Sequence, residues 1–127
     1  MQTRKILLVD DEASLCRVMK LNLEETGRFE VRTETLGSRV LSVALEYQPD
    51  CIILDYIMRD MDGGDVVMQL EGHAETKNIP VIFLTAIATK EDTQGAGHTI
   101  GGRCVLSKPI DVDELIASID SRIRKNV

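Results

Sequence analysis

Cys51-Ile52-Ile53-Leu54-Asp55 is a run of four apolar residues that ends on a carboxylate, with Pro49-Asp50 before it and Met61-Asp62-Gly63-Gly64 beyond it. A short unbroken run bounded by turn formers fits a strand buried on both faces, because an amphipathic helix would interrupt it with polar residues. Such strands belong to parallel sheets, and in open parallel sheets ligands gather at the carboxyl ends of the strands. Asp55 is therefore either a site residue or the cap of the next turn. The residues it keeps company with decide between these roles.

Working outward, Lys5-Ile6-Leu7-Leu8-Val9 is a similar run, and it ends in Asp10-Asp11-Glu12. Leu15, Val18, Met19 and Leu23 then recur at helical spacing, opposite Arg17, Lys20, Asn22 and Glu24, until Gly27 supplies a stop. Phe29-Glu30-Val31-Arg32-Thr33 alternates apolar with polar and predicts an edge strand with one wet face. Val40, Leu41, Ala44 and Leu45 mark a second helix, closed by Gln48-Pro49, and Val66, Val67 and Leu70 mark a short third. Pro80-Val81-Ile82-Phe83-Leu84-Thr85 is another buried strand, ending in a hydroxyl. Residues 90–102 are expected to hold a fourth helix, short, irregular or mobile, since Gly95, Gly97, Gly101 and Gly102 dilute it at about 1 kcal/mol per interior glycine. Cys104-Val105-Leu106 predicts a fifth strand leading to Ser107-Lys108-Pro109, and Val112, Leu115, Ile116, Ile119 and Ile123 line a closing helix with Asp111 as N-cap. Strand and helix thus alternate through the chain, which predicts an α/β fold: a doubly wound parallel sheet with helices on both faces and right-handed crossovers.

At 127 residues and 43% hydrophobic, the chain suits one domain spanning 1–127. Its apolar runs are far shorter than the roughly 20 residues that cross a bilayer, and no signal-peptide pattern opens it, so a cytoplasmic location without a membrane partner is expected. A formal charge of −6 argues against a broad basic face and hence against direct nucleic-acid binding. Cys16, Cys51 and Cys104 lack CxxC spacing and are expected to be reduced thiols serving as small core residues. His73 and His98 fall in polar stretches and are expected at the surface. The glycine-rich Gly95–Gly101 stretch has the wrong spacing and place for a dinucleotide loop.

The predicted strand ends bring Asp10, Asp11, Asp55, Thr85 and Lys108 to one rim. Three carboxylates forced together repel one another unless a cation intervenes, and oxygen-only donors suit a hard ion such as Mg²⁺. With an ammonium and a hydroxyl added, the rim holds the parts needed to move a phosphoryl group onto an acid, with Asp55 attacking in line.

Four ordered motifs sharpen this reading: Ile6-Leu7-Leu8-Val9-Asp10-Asp11-Glu12; Pro49-Asp50-Cys51-Ile52-Ile53-Leu54-Asp55 with Met58 and Met61-Asp62-Gly63; Pro80-Val81-Ile82-Phe83-Leu84-Thr85-Ala86; and Lys108-Pro109. On these the chain resembles, over nearly its whole length, the receiver domain of two-component response regulators, including the single-domain chemotaxis type. The resemblance implies a flavodoxin-like (βα)5 sheet of five strands in the order 2-1-3-4-5. It implies a signalling switch rather than an enzyme, with Asp55 as phosphoacceptor for a sensor histidine kinase or a phosphotransfer protein of a phosphorelay. Asp11 and Asp55 would bind Mg²⁺ directly, Asp10 partly through water, and the backbone carbonyl of Ile57 would complete the protein ligands. Thr85 would turn its hydroxyl toward the phosphoryl oxygen, Lys108 would pair with it, and the Lys108-Pro109 bond would be cis. Partners would be an output domain or protein target, and a homodimer could form through the fourth helix, fifth strand and fifth helix.

Three positions depart from the family pattern. Val105 stands where an aromatic is common, so the usual coupling of threonine and ring is lost; the expectation is that the signal orders the glycine-rich fourth helix instead, and unchanged amide exchange across residues 90–103 on phosphorylation would count against it. Arg59 stands where a proline often follows the methionine, which predicts a more flexible loop and a solvated arginine, the alternative being an acidic partner for it. Ile57 and Ile87 stand at positions that in the family flank the path of the hydrolytic water, and branched apolar side chains cannot orient it, which predicts slow self-dephosphorylation. Two rivals remain: an interaction module that keeps the fold without phosphorylation, and a phosphohydrolase with an aspartyl nucleophile. The second commonly wants an aspartate two residues after the nucleophile, where this chain has Ile57 after Asp55 and Glu12 after Asp10.

Overall fold

The central strands carry apolar residues at every position because each serves two cores at once. In the computed structural model, which describes residues 3–86, 99–100 and 103–125, Ile6, Leu8, Cys51, Ile53, Ile82, Leu84 and Leu106 point to one side of the sheet. Leu7, Val9, Ile52, Leu54, Val81, Phe83 and Val105 point to the other. The elements are β1 (Arg4–Val9), α1 (Ala13–Glu25), β2 (Phe29–Glu34), α2 (Val40–Tyr47, entered by a 3₁₀ turn at Gly37–Arg39), β3 (Cys51–Asp55), α3 (Gly63–Glu71), β4 (Val81–Thr85), β5 (Thr99–Ile100), β6 (Arg103–Ser107) and α4 (Val112–Lys125). The first core is roofed by α1 through Cys16, Met19 and Leu23 and by α4 through Leu115, Ile119 and Ile123. The second is roofed by α2 through Val40, Val43 and Ala44 and by α3 through Val66, Val67 and Leu70.

Five strands run parallel in the order β2-β1-β3-β4-β6, the expected 2-1-3-4-5 arrangement. β2 is the edge strand its alternation predicts, buried at Phe29 and Val31 and open at Glu30 and Thr33. The sheet also has a sixth, two-residue strand that the sequence pattern does not predict: β5 pairs antiparallel with β6, Thr99 opposite Cys104 and Ile100 opposite Arg103. It occupies part of the stretch where a fourth helix is expected, and the intervening sequence, Gly101-Gly102, is a hairpin signal that competes with the diluted helix pattern. The remainder of that expectation, together with Ile87 and His98, lies outside the described residues.

α1 corrects one assignment. Val18 is 55% exposed while Cys16 is buried. At about 100° per residue, Cys16, Met19 and Leu23 form a tight stripe and Val18 lies about 130° from its centre. Gly27, at φ 76°, ends this helix in the left-handed region that glycine adopts without strain, its N–H reaching the Glu24 carbonyl at 3.0 Å. Asp111 caps α4 as predicted, its carboxylate accepting the Asp113 N–H at 2.8 Å. All three cysteines are free. Burial pushes the Cys16 thiol up to about 11 and the Cys51 thiol up to about 12, so both stay protonated core residues, while Cys104 is only half-buried.

Candidate functional site

β1 and β3 are adjacent and end level, Val9 standing opposite Leu54, so the residues that follow them share one rim. Asp10, 1% exposed, is fixed from both sides: its N–H donates to the Glu34 carbonyl at 3.1 Å and its Oδ1 accepts the Glu12 N–H at 2.9 Å. Asp55, 5% exposed, closes β3, and its Oδ1 accepts the N–H of Ile57 at 3.3 Å. One oxygen each of Asp10, Asp11 and Asp55 lie within 4.8 Å of one another.

Lys108 follows β6 and reaches back across the rim. Its N–H donates to the Thr85 carbonyl at 3.0 Å, its bond to Pro109 is cis, and its Nζ bridges Asp10 Oδ2 at 2.5 Å and Asp55 Oδ2 at 3.3 Å. Thr85 is the buried last residue of β4, one step beyond Leu84, which pairs with Asp55. Burial, followed by the charge of Asp10, holds the Asp55 carboxyl above its usual range, against the pull of Lys108. Burial by itself would lower Lys108, but the hydrogen bond and charge of Asp10, with Asp55, outweigh it and hold the ammonium above its ordinary value. Asp55 is thus a carboxylate short of compensating charge, and Lys108 is firmly protonated.

Asp11 has a different counter-charge. Arg59 donates its backbone N–H to Asp11 Oδ2 at 3.0 Å, its Nε to the same oxygen at 3.3 Å and a terminal nitrogen to the Asp11 carbonyl at 3.3 Å. The side chain is exposed, as the sequence predicts, but its acidic partner is within the chain and in the site itself. Nor does the loop lack anchors. The next residue, Asp60, accepts the N–H groups of Ser38 and Gly37, both at 3.0 Å, which hold its carboxyl below the usual range, and Met58 is buried on the other side. Further on, the Gly63 N–H meets the Tyr56 carbonyl at 2.6 Å, and a Cβ on Gly63 would lie 3.0 Å from both Phe83 Cε1 and Tyr56 Cα. A side chain there would make Phe83 or the Tyr56 backbone give by a few tenths of an ångström, at the residue where α3 begins and beside rings that pack edge-on at 5.2 Å.

The structure therefore brings Asp10, Asp11, Asp55 and Lys108 into one cluster and ends the neighbouring strand with Thr85 on the same rim. Ile57, 49% exposed, lies two residues past Asp55. Sequence reasoning left Arg59 out of the site and gave an acidic partner for it only as the alternative; its signal was an arginine four residues beyond Asp55, in a chain whose triple-acid run offers a charge it could meet. The donor set suits a hard divalent cation, being all oxygen and three negative charges against the contacting ammonium and guanidinium.

Comparison with known proteins agrees with this geometry. Residues 6–120 match the family model described as the response regulator receiver domain. The DNA-binding dual master transcriptional regulator RpaA of Synechocystis is 32% identical over 95% of the chain, and the transcriptional regulatory protein KdpE of Mycobacterium tuberculosis is 34% identical over 95%. The chain spans about half the length of these relatives, 49% and 51% respectively. Among solved structures, the receiver domain of the Francisella response regulator 1452 superposes with a TM-score of 0.81 at 25% identity, covering 98% of this chain and 100% of that one.

Proposed function

We propose a mechanism from one premise: the chain belongs to the response regulator receiver domain family, whose work is phosphorylation-dependent two-component signalling. The reading assigns Asp55 as phosphoacceptor. Its carboxylate attacks the phosphorus of a phosphohistidine on a sensor kinase or phosphotransfer protein; the new P–O bond forms as the P–N bond breaks, and the imidazole keeps the electron pair. The observation that carries this is the Lys108 ammonium bridging Asp10 and Asp55 at the carboxyl end of adjacent strands. An ammonium held there pairs with a phosphoryl oxygen as charge arrives on Asp55.

Asp10, Asp11, Asp55 and the backbone carbonyl of Ile57 are the groups that would hold Mg²⁺, Asp10 partly through water. When bound, the ion offsets charge on the transferring phosphoryl oxygens. Thr85 turns its hydroxyl toward the phosphoryl group once it is in place. The N–H bond from Lys108 to the Thr85 carbonyl supports this pairing of roles, since it ties the two residues to one backbone position. The whole chain, 1–127, is read as a receiver domain that acts as a switch in the cytoplasm, and the phosphorylated surface then meets an output domain, a protein target or a second copy. Among the described residues no helix is long and apolar enough to cross a membrane.

Exposure of wild type and Asp55→Asn to Mg²⁺ and a small acyl phosphate, followed by intact mass, tests the reading. One alkali-labile phosphoryl adduct, lost in the variant, is the expected result. No adduct in wild type would favour a receiver-like interaction module, and continuing phosphate release with turnover would favour an aspartyl phosphohydrolase.

A further inference from the structure

Two cations divide the three carboxylates of the site between them, and their tethers differ. Lys108 is one-fifth exposed and clasped between Asp10 and Asp55. Arg59 is 86% exposed, and its partner Asp11 is 24% exposed. The Arg59 backbone is fixed on both sides, by the buried Met58 before it and by Asp60 on the Gly37 and Ser38 amides after it. Its own N–H also holds Asp11 Oδ2. The guanidinium is therefore a movable arm on a fixed base, lying on a carboxylate that a divalent ion at this rim would use.

We propose that Arg59 is a built-in counter-cation that competes with the divalent ion for Asp11 and so sets the ion affinity of the site. The inference rests on the metal-binding reading above and adds a residue to it. Asp11 Oδ2 already accepts two N–H groups from Arg59, at 3.0 and 3.3 Å. A dication binding that carboxylate displaces the side-chain donor or shares the oxygen with a positive charge, and either way loses affinity. The backbone donor remains, so Asp11 keeps its position when the arm swings away. An ion pair this exposed is weak and readily exchanged, so the effect is a tuning of severalfold and not a block. The cation of Asp10 is held more tightly, because Lys108 is only one-fifth exposed and is clasped by Asp55 as well.

Calorimetric titration of Mg²⁺ into the unphosphorylated protein at low ionic strength tests this without reference to activity. Arg59→Ala is expected to bind Mg²⁺ about threefold to tenfold more tightly than wild type, by loss of one exposed competing charge. Arg59→Lys, which keeps the charge and loses the fork, is expected to fall between them. Melting in EDTA checks that each variant is folded; if Arg59→Ala is not, the Arg59→Lys shift carries the test alone. Binding to Arg59→Ala that equals or is weaker than wild type overturns the proposal while leaving the metal reading intact. Absence of Mg²⁺ binding in both wild type and Arg59→Ala overturns both.

Discussion

Replacing Asp55 should make the protein more stable, not less. Asp55 is 5% exposed and has an oxygen within 4.8 Å of oxygens of Asp10 and Asp11. At an effective dielectric constant of about 20, each like-charge pair at that outer limit costs about 3.5 kcal/mol, roughly 7 together. Lys108 at 3.3 Å returns about 5 kcal/mol on the same scale. Arg59, by neutralising Asp11 in part, trims the repulsion, whereas burial adds to the cost of the charge. The balance is about 1–2 kcal/mol against the ionised carboxylate. The Asp55→Asn amide would lack that charge and keep an oxygen for the Ile57 N–H. The variant should therefore gain this amount at neutral pH in EDTA, about 3–8 °C in Tm for a domain of this size.

The pH dependence of the gap follows from the direction of the shift. A carboxyl whose pKa is raised on folding binds its proton more tightly in the native state; the stability this gives is present below the unfolded carboxyl pKa and is lost as pH rises through the raised one. Wild type and Asp55→Asn should therefore converge toward acid and separate toward neutrality. A divalent ion narrows the gap from the other side, by about 1.4 kcal/mol at ten times its Kd if only wild type binds it. Urea melts of the two proteins across pH, with and without Mg²⁺, measure all of this. An Asp55→Asn protein no more stable than wild type at pH 7 in EDTA, or a gap that widens toward acid, would refute the charge accounting.

Three other outcomes are expected. Lys108→Ala leaves Asp10 and Asp55 facing each other without their shared cation, and chemical denaturation should show a loss of about 2–3 kcal/mol. Because the Lys108 pKa is raised, that loss should persist through neutral pH and fade only as alkali removes the proton in wild type. Asp60→Ala removes the acceptor for two amides at the entry to α2, a loss of about 1 kcal/mol by thermal melting. Its carboxyl is held below the usual range, so the contribution is present above the unfolded carboxyl pKa and should vanish as pH falls through the lowered one. Ile57→Asn should lose its phosphoryl group severalfold faster than wild type in a phosphate-release time course, since an amide at this half-exposed position can orient water and a branched alkyl group cannot; slower release would contradict it.

The strands and the acids at their ends were legible because burial on both faces leaves a plain mark, an unbroken apolar run, and Asp10, Asp55 and Thr85 sit where such runs stop. Lys108 was legible as the charge that follows the last of them. Three features were not. Val18 satisfies helical spacing as well as Cys16 does, and which of them faces inward depends on how α1 rests on β1 and β2, a tertiary fact. The Arg59–Asp11 contact joins residues 48 apart through a loop whose path is set by Asp60 on α2's entry turn and by the glycine seat at Gly63. No periodicity encodes a loop path. β5 was missed for a third reason: glycine dilutes a helix and also permits a tight hairpin, and composition does not choose between them.

The same loop bears on how the site communicates. Val105 is 3% exposed and lies beside Phe83 in register, inside the core roofed by α2 and α3. Position 105 has no large ring, and the aromatic pair of this core is Phe83 with Tyr56 edge-on to it at 5.2 Å. Besides the Lys108 ammonium, what ties Asp55 to its surroundings is backbone: Tyr56 N–H to the Leu84 carbonyl at 2.8 Å, Lys108 N–H to the Thr85 carbonyl, and the loop from Asp55 to Gly63. Of these, the loop alone carries a charged arm free to exchange partners. The site thus divides into a clasped half, Asp10–Lys108–Asp55, and an open half, Asp11–Arg59. The first is one-fifth exposed or less at every side chain, whereas in the second the guanidinium is 86% exposed and can change partners without disturbing the packed core.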